Sequence, residues 1–388
     1  MDRETFQQLL DTVERFVRER LRPREDEVAV NDAVPEEIVR DMREFGLFGL
    51  AIPEEFGGLE LTLSEEIQVA FKLGGTSPAF RSIIGTNNGI GSQGIIIDGT
   101  PEQKAHYLPK MASGELIGSF CLTEPEAGSD AGSLRTSARR DGGHFVLNGT
   151  KRFITNAPQA GVFTVFARTD PESRTAAGVT AFIVDANLKG ISLGKKDRKM
   201  GQQGAHTCDV IFDDVRVPVN AIIGGEANLG KGFTTAMKVL DRGRLTIAAV
   251  CVGVAERLIA DSLAYAMERK QFGQPIAEFQ LIQAMLADMR AEAFAARCMV
   301  EETARRFDAL APIATEAACC KMFASEMVGR VADKAVQIHG GAGYVADSGI
   351  ERFYRDVRLF RIYEGTTQIQ QLVIARNMVR EARRQSAG

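Results

Sequence analysis

Tryptophan is absent from this 388-residue chain, and histidine is scarce, with four residues in all. His106, His144, His206 and His339 show no ligand spacing, and the six cysteines (Cys121, Cys208, Cys251, Cys298, Cys319, Cys320) contain no CxxC pair. That pattern argues against a zinc site or a disulfide framework and leaves the thiols as small buried side chains. No metal is expected. No apolar run reaches the roughly 18–20 residues that a membrane span requires. The polar start, Met1-Asp2-Arg3-Glu4-Thr5, lacks the apolar core of a signal peptide. A cytoplasmic protein with no membrane contact is the expectation. Charge of one sign is also missing: the net charge is −4 with 25% charged residues, so nothing points to nucleic acid. The run Lys195-Lys196-Asp197-Arg198-Lys199 reads as a solvated face. No G-x-G-x-x-G follows a strand, which argues against a Rossmann site, and no internal repeat argues for a solenoid.

What remains is an ordinary globular composition, 45% hydrophobic, on a chain long enough for two or three domains. From Thr5 to about Leu116 apolar residues recur at three- and four-residue steps: Phe6, Leu9, Leu10, Val13, Phe16 and Val17, then Ile38, Met42, Phe45 and Phe48 after Pro35. That spacing predicts helices. Near residue 118 the period changes to short apolar strands separated by turns, with Asn148-Gly149 reading as a hairpin turn. From about 231 the helical period returns, with Leu245, Val252, Ile259 and Leu263 on one face and Ile282, Met285, Leu286 and Met289 on another. The expected fold is α+β and multidomain. It has an N-terminal all-α domain (1–117), a middle β-sandwich or barrel (118–230) and a C-terminal four-helix bundle (231–388).

Five places carry candidate chemistry. Glu364 lies among apolar and aromatic residues in Arg361-Ile362-Tyr363-Glu364-Gly365-Thr366-Thr367-Gln368, where desolvation would raise its pKa and make it a general base. The loop Thr123–Asp130 offers hydroxyls and a flexible glycine backbone for a ring or a phosphate. Phe153-Ile154-Thr155 places a ring and a hydroxyl on one face of a strand. Arg269-Lys270-Gln271-Phe272-Gly273 sets a guanidinium beside an aromatic ring, suited to an anionic cofactor. Gln337 to Tyr344, with glycines at 340, 341 and 343, frees backbone amides for a pyrophosphate. Each of these also has an ordinary reading as a helix cap, a core aromatic or a turn. Glycines 85, 89 and 91 suggest backbone packed tightly against a helix or a ligand. Arg81, at the entrance of that segment, is either a helix-end residue or the partner of an anionic substrate tail.

Taken together, these segments resemble the acyl-CoA dehydrogenase family. Phe120 to Ser133 is similar to its first signature, and Arg269 through Gln280, Gln337–Gly343 and Ile362–Thr366 are similar to its C-terminal ones. The resemblance implies an FAD enzyme that oxidises the Cα–Cβ bond of an acyl-CoA thioester to the trans-2-enoyl-CoA. Glu364 would be the α-proton base, hydride would pass to flavin N5, and electrons would go on to electron-transfer flavoprotein. It implies FAD contacts at Phe120, Leu122, Thr123, Gly128, Ser129, Phe153, Ile154, Thr155, Thr366 and Gln368. Arg269, Gln271, Phe272, Phe279, Gln337 and Gly341 would serve the flavin of a neighbouring subunit in a homotetramer or dimer. Ser129, Asp241, Arg244, Tyr363, Glu364 and Gly365 match substrate-contacting positions. Phe153 departs from the family's frequent tryptophan, and Gln271 from its frequent threonine.

Gly243 stands where some branched-chain members carry the base, so Gly243 with Glu364 resembles the straight-chain arrangement. Arg81 resembles the arginine with which glutaryl-CoA dehydrogenases hold a distal carboxylate. A short- or medium-chain monocarboxylic acyl-CoA is the first expectation and an ω-carboxylated one the second. An acyl-CoA oxidase, a non-catalytic flavoprotein of the same fold and a purely structural scaffold are the rival readings.

Overall fold

A computed structural model describes residues 1–173 and 175–387. Helix α1 (Arg3–Phe16) starts where the Asp2 carboxylate accepts from the Glu4 and Thr5 N–H groups, and it buries Leu10, Val13 and Phe16. Helices α2 (Glu25–Asn31) and α3 (Glu36–Glu44) follow. The expected stripe of α3 stops early: the helix ends at Glu44, and Gly46 takes φ +68°. Phe48 reaches the core from a turn rather than from the helix, while Phe45 stays exposed. Helix α4 (Leu63–Leu73) opens with a Thr62/Glu65 capping box and is tied to the C-terminal half by Asp308, which accepts from the Leu63 and Ser64 N–H groups at 2.9 Å. Helices α5 (Pro78–Asn88), α6 (Gln93–Asp98) and α7 (Pro101–Ala112) complete the first part.

Seven strands follow: β1 (Gly118–Cys121), β2 (Ser137–Asp141), β3 (His144–Thr155), β4 (Val162–Arg168), β5 (Val179–Asp185), β6 (Ile191–Leu193) and β7 (Thr207–Pro218). They form one sheet in the order β1-β4-β2-β3-β7-β6, with β5 paired to β4. In β4 and β5 successive side chains enter two different cores. Phe163, Val165, Phe182 and Val184 fill the interior of the β-domain, whereas Phe166, Val179 and Ile183 pack towards the helices. Burial on both faces explains why these strands are apolar without alternation. The hairpin expected at Asn148-Gly149 is not there. Both flanks belong to β3 and pair with the same strand, β7, across a register shift between Leu147 and Gly149. A Cβ on Gly149 would lie 2.5 Å from the Thr136 hydroxyl, so the glycine serves a bulge and close approach rather than a turn. The turn falls instead at Gly142-Gly143, between β2 and β3.

Helix α8 (Gly232–Glu268) leads to a small hairpin, β8 (Lys270–Gln271) and β9 (Gln274–Pro275), and then to α9 (Gln280–Asp308) and α10 (Ala314–His339). The short α11 (Gly341–Tyr344) and α12 (Ile350–Val357) precede the last helix, α13 (Thr367–Ala387). The middle of α8 is buried almost all round from Gly243 to Leu258, because α4, α9 and α10 all pack on it. Its expected single stripe is therefore overridden, and Leu263 is exposed. Side-chain amides lock α5 beside the sheet. Asn87 bonds the Met111 and Leu116 carbonyls and the Gly118 N–H, and Asn156 bonds the Ser82 carbonyl and the Thr86 hydroxyl. Among the described residues, no helix is long and apolar enough to cross a membrane.

Candidate functional site

Where α5, the ends of β1 and β3, α8 and the segment before α13 converge, they enclose a cavity of about 500 Å³. Of the residues singled out in the sequence, Arg81, Phe120, Leu122, Thr123, Gly128, Ser129, Phe153, Ile154, Thr155, Arg244, Tyr363, Glu364 and Gly365 line it. Five distant stretches are thus brought to one cavity. Thr366 and Gln368 stand just behind: the Thr366 hydroxyl accepts from the Ile369 N–H at 3.3 Å and caps α13. Asp241 is one helical turn from Arg244 and pairs with it at 2.6 Å, so it reaches the cavity through that guanidinium.

Glu364 takes φ +53° and Gly365 φ +90°. A left-handed glutamate is unfavourable, and the turn is held from behind. The buried Gln370 amide donates to the Glu364 and Gly365 carbonyls at 3.0 and 3.1 Å, and Lys321 Nζ donates to the Gly365 carbonyl at 2.6 Å. Glu364 Oε2 is closed off from solvent and has no hydrogen-bond partner among the described residues. Burial pushes its pKa up, and the charges of Arg81, Lys321 and Arg244 only partly offset this. Burial likewise holds the Tyr363 hydroxyl well above its usual range, so it stays protonated.

Two glycines make room for these charges. A Cβ on Gly243 would lie 2.6 Å from Glu364 Oε2, and one on Gly85 would lie 2.8 Å from the Arg81 guanidinium. The tight packing foreseen for the glycine-rich segment is therefore against Arg81 at Gly85 and against the Gly118 backbone at Gly91. Gly243→Ala is expected to displace the Glu364 carboxylate while leaving α8 intact. A misplacement of that size costs about 10²-fold in rate, to be read in the rate of flavin reduction at unchanged FAD content.

The polar loop is anchored by a buried ion pair. Lys151 Nζ lies 2.8 Å from Glu124 Oε1, and Glu124 also accepts from the Arg135 and Thr136 N–H groups at 2.6 and 2.9 Å. At the register shift between Lys151 and Ile154, Phe153 adopts φ +59° and remains 58% exposed. Its ring, 4.8 Å from the Arg152 guanidinium, stands at the cavity wall. An open aromatic ring beside the hydroxyl residues Thr123, Ser129 and Thr155, in a space of this size, fits a planar, phosphate-bearing cofactor.

A second group lies elsewhere. Arg269, Gln271, Phe272, Phe279, Gln337 and Gly341 do not line the cavity. They sit around the β8–β9 hairpin and the end of α10, on the outside of the molecule. Phe272 is 94% exposed in a two-residue turn at φ +51°, followed by Gly273 at +83°.

Sequence reasoning missed several parts of the site. Lys199, assigned above to a solvated face, is half-buried at the cavity and donates to the Ala205 carbonyl; the loop through Gln202 folds inward because Asp356 accepts from the Gln202 N–H. Lys321 was also unforeseen, since it is one polar residue in a helical pattern, whereas Gln370, a polar group expected around Glu364, does bond the carbonyls there.

An exposed aromatic ring, the hydroxyl residues Thr123, Ser129 and Thr155 and a carboxylate with one oxygen closed off from solvent share this cavity, an arrangement that suits a flavoprotein oxidoreductase. Three family descriptions match consecutive stretches: acyl-CoA dehydrogenase N-terminal domain (3–115), middle domain (119–215) and C-terminal domain (230–379). The chain belongs to the acyl-CoA dehydrogenase family, and its cofactor is FAD. It is 42% identical over 374 residues to a 3-(aryl)acrylate reductase from Clostridium sporogenes, covering 94% of this chain and 96% of that protein. It is 41% identical over 350 residues to the caffeyl-CoA reductase–Etf complex subunit CarC of Acetobacterium woodii, covering 90% and 91%. The butyryl-CoA dehydrogenase structure from Megasphaera elsdenii superposes with TM-score 0.93 at 34% identity, covering 98% of this chain and 100% of that one.

Proposed function

We propose that the protein dehydrogenates the Cα–Cβ bond of a short- or medium-chain straight acyl-CoA thioester to the trans-2-enoyl-CoA, with Glu364 removing the α-proton. The observation that carries this is the unpartnered, solvent-free Oε2 of Glu364 at the cavity wall. A carboxylate that receives no hydrogen bond and little hydration is a stronger base than one in water. FAD, when bound, would supply the acceptor for the β-hydrogen as hydride. The Glu364 backbone N–H has no backbone acceptor among the described residues and is assigned to the thioester oxygen, where it stabilises the charge that builds as the proton leaves. Leu240, Ile247 and Val250 on α8 keep water from the acyl chain. The same carboxyl returns the proton in the reverse direction, for which the two similar reductases are named.

Phe120, Leu122, Thr123, Gly128 and Ser129, with Phe153, Ile154 and Thr155, are assigned to this chain's own FAD. Thr366 and Gln368 join them at the start of α13, where free N–H groups favour an anion. Arg269, Gln271, Phe272, Phe279, Gln337 and Gly341 are assigned to the flavin of a second copy in a homotetramer. Their position away from the cavity supports this, as does the exposed Phe272 in a conformation that a bulky residue holds only when something compensates. Arg244, with Asp241 behind it, and Tyr363, Gly365 and Ser129 are assigned to the thioester and its CoA. Likeness to a subunit of a reductase–Etf complex supports electron-transfer flavoprotein as the electron partner.

A second reading is favoured by Arg81. Its neighbours Arg242 and Arg244 pair with Glu66 and Asp241, whereas Arg81 pairs with no carboxylate among the described residues and faces the cavity. It is free to receive the distal carboxylate of an ω-carboxylated acyl-CoA. Anaerobic bleaching of the flavin's visible band by CoA thioesters from butanoyl to dodecanoyl, with glutaryl, decides between the two. Bleaching by plain chains that survives Arg81→Ala supports the first reading. Bleaching by glutaryl-CoA alone, weakened about 10²-fold or more in Arg81→Ala, replaces it with the second. An FAD-loaded protein bleached by no thioester returns the non-catalytic flavoprotein.

A further inference from the structure

Helix α10 holds the segment around Glu364 at three points. Ahead of it, Arg361 pairs with Glu326 at 3.1 Å, lying where a side chain on Gly329 would collide with it. Within it, Lys321 donates to the Gly365 carbonyl at 2.6 Å. Behind it, the Thr367 hydroxyl donates to Glu326 at 2.7 Å. The charge of Glu326 is thereby matched by Arg361. Lys321 is different: it is 0% exposed, and no carboxylate lies within ion-pair distance of it among the described residues. A buried ammonium with a single carbonyl acceptor is costly unless something nearby uses its charge.

We propose that Lys321 is a positioning residue for Glu364. Its ammonium fixes the left-handed turn that aims the carboxylate into the cavity, and it supplies the buried positive charge that balances that carboxylate. The inference rests on the reading of Glu364 as the base. The geometry is direct. With the carbonyls of Glu364 and Gly365 turned to Gln370 and Lys321, peptide planarity sends the Gly365 and Thr366 N–H groups the opposite way. A Cβ on Gly365 would lie 2.5 Å from the Gln370 amide nitrogen, so this clamp closes only on glycine.

The charges facing the pair come from several elements. Burial pushes the Lys321 ammonium down to about 8, Arg244 on α8 adds to this, and Cys251, Glu364 and Glu326 pull it back. Burial keeps the Cys251 thiol protonated, and Glu326 already has Arg361, so Glu364 is the anion left to Lys321. On the other side, Arg81 from α5 and Arg244 face Glu364 together with Lys321, and all three favour its ionised form. Removing the Lys321 charge therefore shifts the ionisation of Glu364 upward.

The test uses FAD-loaded Lys321→Met and Lys321→Gln beside wild type and Glu364→Gln. Infrared difference titration against Glu364→Gln reads the carboxyl of Glu364 without substrate. Stopped-flow bleaching by butanoyl-CoA as a function of pH reads it in turnover. FAD absorbance and thermal melting report the fold. The expected result is a titration midpoint about one pH unit higher in both variants, with the acid limb of the bleaching rate moved equally and the rate on that limb lowered about tenfold at a given pH. Binding of the thioester should change little. An unchanged midpoint and acid limb in both variants overturns the proposal, as does loss of FAD and of the melting transition in both, which would make Lys321 a core residue only. A shifted infrared midpoint in a protein that no thioester bleaches supports the proposal and overturns the substrate reading instead.

Discussion

Glu364→Gln is expected to lower the rate of flavin bleaching by acyl-CoA about 10²–10⁴-fold, the usual contribution of a positioned general base, while FAD and thioester still bind. The amide nearly matches the carboxylate in shape, so the clamp from Gln370 and Lys321 to the neighbouring carbonyls stays in place. What is lost is the lone pair that takes the α-proton. Retention of the wild-type bleaching rate would dismiss Glu364 as the base. The pH dependence follows from the direction of the shift. Burial raises the pKa of Glu364, and the base works ionised, so the rate should climb with pH through a midpoint above the usual carboxylate range. Stability should move the other way. A carboxyl whose folded pKa is raised contributes fully below its unfolded pKa and loses that contribution as pH rises through the folded value. Glu364→Gln should therefore melt above wild type at neutral pH and converge with it in acid, a cost to the fold of keeping the base at this position.

Lys151→Met should be the most damaging substitution for the fold. It leaves the Glu124 carboxylate buried, with only the Arg135 and Thr136 N–H groups, and strips the Leu122 carbonyl of its donor at 3.1 Å. Breaking a buried pair from one side costs about 3–5 kcal/mol. Although burial pushes the Glu124 pKa up, the Lys151 charge and the hydrogen bonds to Glu124 outweigh it and leave the carboxyl below its usual range. The stability it contributes should thus be present above the usual carboxylate pKa and fade as pH falls through the lowered one. Because the pair anchors the loop that carries Thr123, Gly128 and Ser129, FAD should also dissociate faster. Urea unfolding and FAD release are the measurements, with Lys151→Met/Glu124→Gln as the control. The double variant should recover part of the loss, since no unpaired charge remains. A single variant as stable as wild type would show that the pair does not anchor the loop.

Much of this was legible in local pattern. The change of period near residue 118 and its return near 231 mark the α–β–α layout, because one-sided burial imposes 3.6 on a helix and 2 on a strand. Glu364 stood out because a lone carboxylate among Ile362, Tyr363 and Gly365 has few structural reasons to be there. Where local pattern misled, a distant partner was responsible. Asn148-Gly149 has the composition of a turn, but the bulge exists because Thr136 passes too close for a side chain. Lys199 belongs to a charged run, but Asp356 draws its loop inward.

The order of helices and strands, the family and the candidate for the base were legible in the sequence, since each depends on neighbours within a few residues or on a contiguous motif. Only the tertiary structure decided that Gly243 leaves space for the Glu364 carboxylate, that Arg81 faces it without a partner, and that Lys321 and Gln370 grip the turn that carries it. These relations join residues tens to hundreds of positions apart. Burial, desolvation and Coulomb coupling act on distances in space, which residue spacing along a chain does not encode.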